Sequence, residues 1–179
     1  MRLKKTVVVV GMMGAGKTAV GTHLARLLGV PFVDSDEAIV AAANRSIAEI
    51  FARDGEAFFR EKETQVLRRL LAGPPCILST GGGAFLSPVN RAEIAAKGVS
   101  LWLNADLDLL WNRVRHKNTR PLLRTANPRD TLRGLLEARS PVYALADIAV
   151  QSQADYSVEE MARKVLRALE DHGGIVETA

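Results

Sequence analysis

The segment Gly11-Met12-Met13-Gly14-Ala15-Gly16-Lys17-Thr18 satisfies the pattern G-x-x-x-x-G-K-[ST] in full. These residue types at this spacing suit one task, the holding of a polyphosphate. Glycines let backbone N–H groups curl around phosphate oxygens. Lys17 reaches the β- and γ-phosphates, the Thr18 hydroxyl is placed for Mg²⁺, and a helix starting there aims its N-terminus at the anion. The plain alternative is a glycine-rich turn with an incidental lysine. The β-branched run Thr6–Val10 before the segment and the helical stripe Val20, Leu24, Leu27, Leu28 after it argue against that alternative.

A second constellation follows in Phe32-Val33-Asp34-Ser35-Asp36, with two carboxylates at the end of an apolar run. If the strand continued, residues i and i+2 would point the same way, so one carboxylate can serve the Mg²⁺ water shell while its neighbour faces an acceptor hydroxyl. A phosphotransferase needs both jobs done. The plain alternative is an Asx N-cap for the next helix.

A third feature is an arginine-rich stretch. Trp111 to Ser140 holds eight Arg or Lys residues against Asp130 and Glu137, in a chain whose net charge is only +4. Arginine's planar fork suits phosphate and carboxylate. A nucleic-acid stripe is one reading, weakened because no aromatic falls between Val114 and Pro141. A solvated helix face is the bland reading for any single arginine, and a small anionic ligand is the expectation for the cluster.

The elements that must position these groups alternate. Strands are expected at Thr6–Val10, Val30–Val33, Cys76–Ser79, Val99–Leu103 and Asp147–Val150. Helices are expected at Thr18–Leu28, Asp36–Ala43, from the Ser46-x-x-Glu49 capping box to a break at Gly55, and at Glu56–Leu71, Pro88–Ala96, Asp106–Arg115, Asp130–Tyr143 and Ser157–Leu169. His116–Pro128 has little apolar periodicity and reads as a loop, and Gly173–Ala179 as a frayed tail. This alternation predicts an α/β fold, a three-layer α/β/α arrangement on a five-stranded parallel sheet, with sites at the carboxyl ends of its strands.

Composition sets the frame. At 179 residues, 47% apolar and 25% charged, the chain is the size and mix of one globular domain. The single cysteine, Cys76, allows no intrachain disulfide. The basic start Met1-Arg2-Leu3-Lys4-Lys5 resembles that of a signal peptide, but Gly11 and Lys17 cut the apolar run short. A cytoplasmic monomer with neither membrane nor nucleic-acid partners is the expectation. A G-protein reading lacks its N-K-x-D motif, since Asn104-Ala105-Asp106-Leu107 does not match, and a helicase-type motor needs a longer chain. A small phosphotransferase remains.

With these residues in view, the chain resembles the shikimate kinase family, small P-loop enzymes with a nucleoside-monophosphate-kinase-like fold. The likeness runs from about Val7 to Asp147. It rests on the phosphate loop, the Asp34-x-Asp36 pair, and Ser46-Ile47-x-Glu49-Ile50-Phe51 leading to Gly55-Glu56-x-x-Phe59-Arg60-x-x-Glu63. Gly81-Gly82-Gly83, Arg120-Pro121-Leu122-Leu123 and Arg139-x-Pro141-x-Tyr143 complete it. The resemblance implies transfer of a phosphoryl group from MgATP to the 3-hydroxyl of shikimate. It assigns Arg60 and Arg139 to the substrate carboxylate, Asp36 to the reacting hydroxyl, and Gly81, Gly82 and Gly83 to close approach of the ligand. It implies ATP contacts from Gly14, Ala15, Gly16, Lys17, Thr18, Ala19, Arg113 and Arg120, with Arg113 against adenine and Arg120 on the phosphates. Catalytic roles fall to Asp36, Lys17 and Arg120, and metal contacts to Thr18 and Asp34. It further implies a substrate-binding region over about 35–63 and a lid over about 114–127. Glu63 stands three residues past Arg60, where it can hold the guanidinium. A surface pairing of Arg60 with Glu56 or Thr64 is the bland alternative.

Two other functions compete. One is a different small-molecule kinase, acting on gluconate or a nucleoside monophosphate. The other is a nucleotide-dependent RNA- or DNA-binding module using the arginine cluster. Asp34-x-Asp36 together with Arg60, the triple glycine and Arg139 favours a hydroxylated carboxylic acid over both.

Overall fold

A computed structural model describes residues 1–116 and 123–178. Along the chain run β1 (Arg2–Leu3), β2 (Thr6–Val10), α1 (Lys17–Leu28), β3 (Phe32–Asp34), α2 (Ser35–Ala43), α3 (Ile47–Ala72) and β4 (Ile77–Ser79). After a 3₁₀ turn at Ala84–Leu86 come α4 (Pro88–Lys97), β5 (Gly98–Asn104), α5 (Leu107–Val114), α6 (Pro128–Tyr143), β6 (Ile148–Gln151), α7 (Val158–His172) and β7 (Val176–Glu177).

Five strands form one parallel sheet in the order β3-β4-β2-β5-β6. All of Thr6–Val10 and the first six residues of β5 are buried. Successive strand residues point to opposite faces, so both faces must be covered. Helices α1 and α7 pack on one another, as do α3 and α4. The central β2 delivers the chain directly into Gly11–Thr18 at its carboxyl end.

Local chemistry sets the helix boundaries. Gly29, at φ +65°, takes the left-handed conformation that closes α1. Ser46 accepts from the Glu49 amide to start α3. Gly55, at φ +85° and ψ 172°, breaks the helical path of α3 where the sequence predicts a break. A small cluster of Ile39, Ile50, Phe59 and Val66 joins α2 to α3, apart from the main core. The helical unit that carries Arg60 therefore has its own apolar anchor.

Three expectations need correction. The tail is not frayed throughout: β7 pairs antiparallel with β1, Ile175 is buried, and Lys4 pairs with Glu177. β3 ends at Asp34 and Asp36 lies in the first turn of α2, as the helix expected from Asp36 and the Asx N-cap alternative require; the strand continuation that would point both carboxylates the same way is what fails. The cause is Asp34 itself, whose Oδ1 accepts from the Asp36 and Glu37 amides at 2.8 and 3.2 Å and caps the helix. Within the expected loop, Leu123 is buried against the main core.

Candidate active site

The phosphate loop rests on two left-handed glycines, Gly14 at φ +82° and Gly16 at φ +94°. Gly16 is the N-cap of α1 and provides no side-chain oxygen to the first amides. The other α-helices among the described residues carry a capping Asp, Ser or Asn side chain. The first turn of α1 also contains no acidic residue. Those amides, with the helix dipole behind them, favour an anion. Lys17 Nζ donates to the carbonyls of Gly11 and Met12 at 2.7 and 2.9 Å, which folds the ammonium over the loop. Thr18 and Ala19 are exposed at its rim, and Ala15 is buried beneath it.

Arg113, on α5, donates from Nη1 to the Gly14 carbonyl at 3.0 Å. A β-carbon on Gly14 would fall 2.7 Å from Val114 Cγ1, so α5 packs tightly onto the loop. The structure thus brings Arg113 to the phosphate loop. Arg120 lies outside the described residues. Of the other arginines in the basic stretch, Arg129 pairs with Asp108 at 2.5 Å and Arg133 with Asp130 at 3.1 Å, both on the surface.

The second half of the site is built on Gly81-Gly82-Gly83, which follows β4. Each glycine lies against one of the polar side chains expected to meet the substrate. A β-carbon on Gly81 would sit 2.9 Å from Asp36 Oδ1, one on Gly82 2.8 Å from Arg139 Nη1, and one on Gly83 2.5 Å from Arg60 Nη2. Any side chain at these positions would displace the charged group beside it. Asp36, Arg60 and Arg139, from α2, α3 and α6, therefore converge on one bare stretch of backbone.

The charged groups of this pocket hold one another. Arg60 Nη1 lies 3.0 Å from Glu63 Oε1, and Arg60 Nε 3.6 Å from Glu56 Oε1. The expected Glu63 contact and the bland Glu56 contact thus coexist. Glu63 is only 2% exposed, and burial, first of all, pushes its carboxyl above the ordinary range, against the pull of Arg60. The Asp36 carboxyl is likewise raised, chiefly by burial and then by the Asp34 charge, while Lys17 and Arg60 draw it down. Asp36 thus lies within electrostatic reach of the phosphate-loop lysine and of Arg60.

Tyr143 was quoted in the sequence only as part of a motif, with no role. Its fully buried hydroxyl donates to the Gly82 carbonyl at 2.7 Å. The spacing Arg139/Tyr143 on one helix face was the available signal.

Among the described residues no three His, Cys, Asp or Glu side chains cluster as a metal cage, and no helix is long and apolar enough to cross a membrane. The oxygens of Thr18 and Asp34 nevertheless suit Mg²⁺, a hard cation that keeps several waters and takes few protein ligands. Both capping bonds of Asp34 fall on Oδ1.

The shikimate kinase family model matches residues 13–170. A shikimate kinase of Cereibacter sphaeroides is 70% identical over 99% of this chain and 88% of its own length. One of Ruegeria pomeroyi is 63% identical over 98% and 90%. The structure of a shikimate kinase from Acinetobacter baumannii in complex with shikimate superposes with a TM-score of 0.85 at 37% identity, covering 93% of each chain. A family model over most of the chain and relatives 63% and 70% identical along nearly all of it leave no room for a chance likeness: the chain belongs to the shikimate kinase family.

Proposed function

We propose that the chain transfers the γ-phosphoryl group of ATP, as its Mg²⁺ complex, to the 3-hydroxyl of shikimate. The observation that carries this reading is the pairing of Gly81, Gly82 and Gly83 with Asp36, Arg139 and Arg60. Two guanidinium forks and one carboxylate around bare backbone suit a small ring bearing a carboxylate and several hydroxyls.

In this reading the first amides of α1 and Lys17 hold the β- and γ-phosphates, with Gly14, Ala15, Gly16 and Ala19 shaping the cradle. Arg113 lines the adenine side. Arg60 and Arg139 bind the shikimate carboxylate and so turn the 3-hydroxyl towards Asp36. Asp36 accepts the hydroxyl hydrogen bond and orients a lone pair at phosphorus. The new bond joins O3 to the γ-phosphorus, the bond from that phosphorus to the β,γ-bridging oxygen breaks, and the hydroxyl proton passes to Asp36. The transition state is loose, so orientation contributes at least as much as basicity.

Thr18 and the Asp34 carboxylate would hold Mg²⁺, which supplies charge neutralisation to the phosphates when bound. Arg120 would provide a further cation to the transferring group, from a lid over about 114–127 that excludes water. We read the chain as a single P-loop kinase domain with its substrate region over about 35–63, working as a cytoplasmic monomer without nucleic-acid or membrane partners. The buried, unbridged Cys76 accords with a reducing compartment.

A coupled assay of ADP release with and without shikimate tests the reading. ADP release that depends on shikimate and Mg²⁺ supports it. Release that is indifferent to shikimate but rises with gluconate or a nucleoside monophosphate overturns it.

A further inference from the structure

We infer that Tyr143 is a positioning residue for shikimate binding: its phenol fixes the Gly82 carbonyl and so sets the glycine run against which the Arg139 guanidinium lies. The inference rests on the proposed reading of the site and assigns a part to a residue outside it.

Arg139 and Tyr143 are four residues apart on α6, hence on one face of the helix. The Tyr143 side chain has no exposure to solvent, and its ring packs at 6.1 Å from that of Trp102 on β5. A buried phenol needs partners for both its proton and its lone pairs. The proton goes to Gly82 O at 2.7 Å. The Arg139 guanidinium acts on the phenol by charge: burial, first of all, raises the phenol's pKa, and Arg139 opposes that rise. At neutral pH the group is therefore a neutral donor to the carbonyl.

The geometry has two consequences. The Gly82–Gly83 peptide is planar and trans, so fixing its carbonyl also fixes the direction of the Gly83 N–H on the opposite side. Glycine backbone is otherwise the least constrained in the chain. Arg139 Nη1 lies 2.8 Å from the place a Gly82 β-carbon would occupy, so guanidinium and peptide share one tightly defined space. A single hydroxyl thus fixes the backbone against which Arg139 lies, and it touches neither the phosphate loop nor Asp36 in any contact described above.

Tyr143→Phe keeps the ring and its packing and removes only the hydrogen bond to Gly82. The expected result is a rise of about 5-fold in the shikimate KM, the scale of one lost neutral hydrogen bond, with the ATP KM changed less than about 2-fold. A double-mutant cycle with Arg139→Gln supplies the readout that plain destabilisation would not move. If the phenol acts by setting the place of Arg139, Tyr143→Phe should add less than about 2-fold to the shikimate KM once Arg139→Gln is present. Fully multiplicative effects, equal losses for both substrates, or a lowered Tm with unchanged KM values would each overturn the inference. A wild-type chain that left shikimate unphosphorylated would overturn the underlying reading, and this inference with it. An active wild type with an indifferent Tyr143→Phe would overturn the inference alone.

Discussion

The Glu63 carboxylate, almost wholly buried, grips the Arg60 guanidinium at 3.0 Å from one turn further along α3. Glu56 approaches the same arginine from the exposed side at 3.6 Å. Glu63 therefore sets the direction of the fork, and Glu56 adds a solvent-screened contact of little weight.

Glu63→Gln keeps the size and one acceptor oxygen and removes the charge. Arg60 then keeps a weaker partner and more freedom. The shikimate KM should rise about 5- to 20-fold, on the scale of a weakened charged hydrogen bond, with ATP affinity unchanged. Glu56→Gln should change either constant less than about 2-fold. Steady-state kinetics of the two variants decide the point. A larger effect from Glu56→Gln would show that the exposed contact sets the fork.

Gly82→Ala tests the close approach. The added methyl would fall 2.8 Å from Arg139 Nη1, the flexible end of a long side chain, so the arginine swings aside and the backbone stays. The fold should survive, with thermal unfolding within a few degrees of wild type. The shikimate KM should rise at least about 10-fold, since one fork is lost from the carboxylate. An unaltered KM would remove Arg139 from the site.

The sequence made the strands and the phosphate loop legible because each depends on short-range pattern: an apolar run, a glycine, a lysine, a helical stripe. The Arg60–Glu63 contact was legible for the same reason, being one turn of helix. The pairing of each glycine with its own charged side chain was not, because Asp36, Arg60 and Arg139 reach the triple glycine only through the tertiary fold. The strands β1 and β7 are two residues each and leave no periodicity to read. The helix expected from Asp36 starts one residue earlier, at Ser35, because Asp34 caps it, so the strand continuation that would have pointed both carboxylates the same way does not form.

Asp36 should also show a cost in stability. Its carboxyl titrates above the ordinary value in the folded chain, so the native state holds its proton to higher pH than the unfolded state does. Stability from this group is full below the unfolded pKa, about 4, and is lost as pH rises through the raised folded value. Asp36→Asn should therefore raise the Tm of the ligand-free protein at pH 7, and the gain should disappear near pH 3.5. Its kcat should fall about 10²- to 10⁴-fold if proton acceptance matters. Thermal melts across pH, beside turnover at pH 7, check both. A lower Tm at pH 7 would mean that the attraction of Lys17 and Arg60 outweighs burial.

Asp34 combines two tasks that substitution can separate. Its Oδ1 caps α2 through two amides, and its charge is assigned to the water shell of Mg²⁺. Asparagine caps a helix about as well as aspartate, whereas alanine at such a position costs about 1 kcal/mol. Asp34→Asn should thus melt within about 2 °C of wild type, and Asp34→Ala should melt several degrees lower. Both should need more Mg²⁺ for half-maximal turnover, because both lack the charge. Asp36→Asn, by contrast, should lose turnover at every Mg²⁺ concentration with its half-maximal requirement unchanged. The deciding measurement is a Mg²⁺ titration of turnover in all three variants at saturating shikimate. If Asp34→Asn matches wild type in that titration while Asp34→Ala fails only by melting, Asp34 is a helix cap and nothing more. If Asp36→Asn shows the shifted metal requirement instead, the two carboxylates exchange roles, and the one beside Gly81 faces the metal.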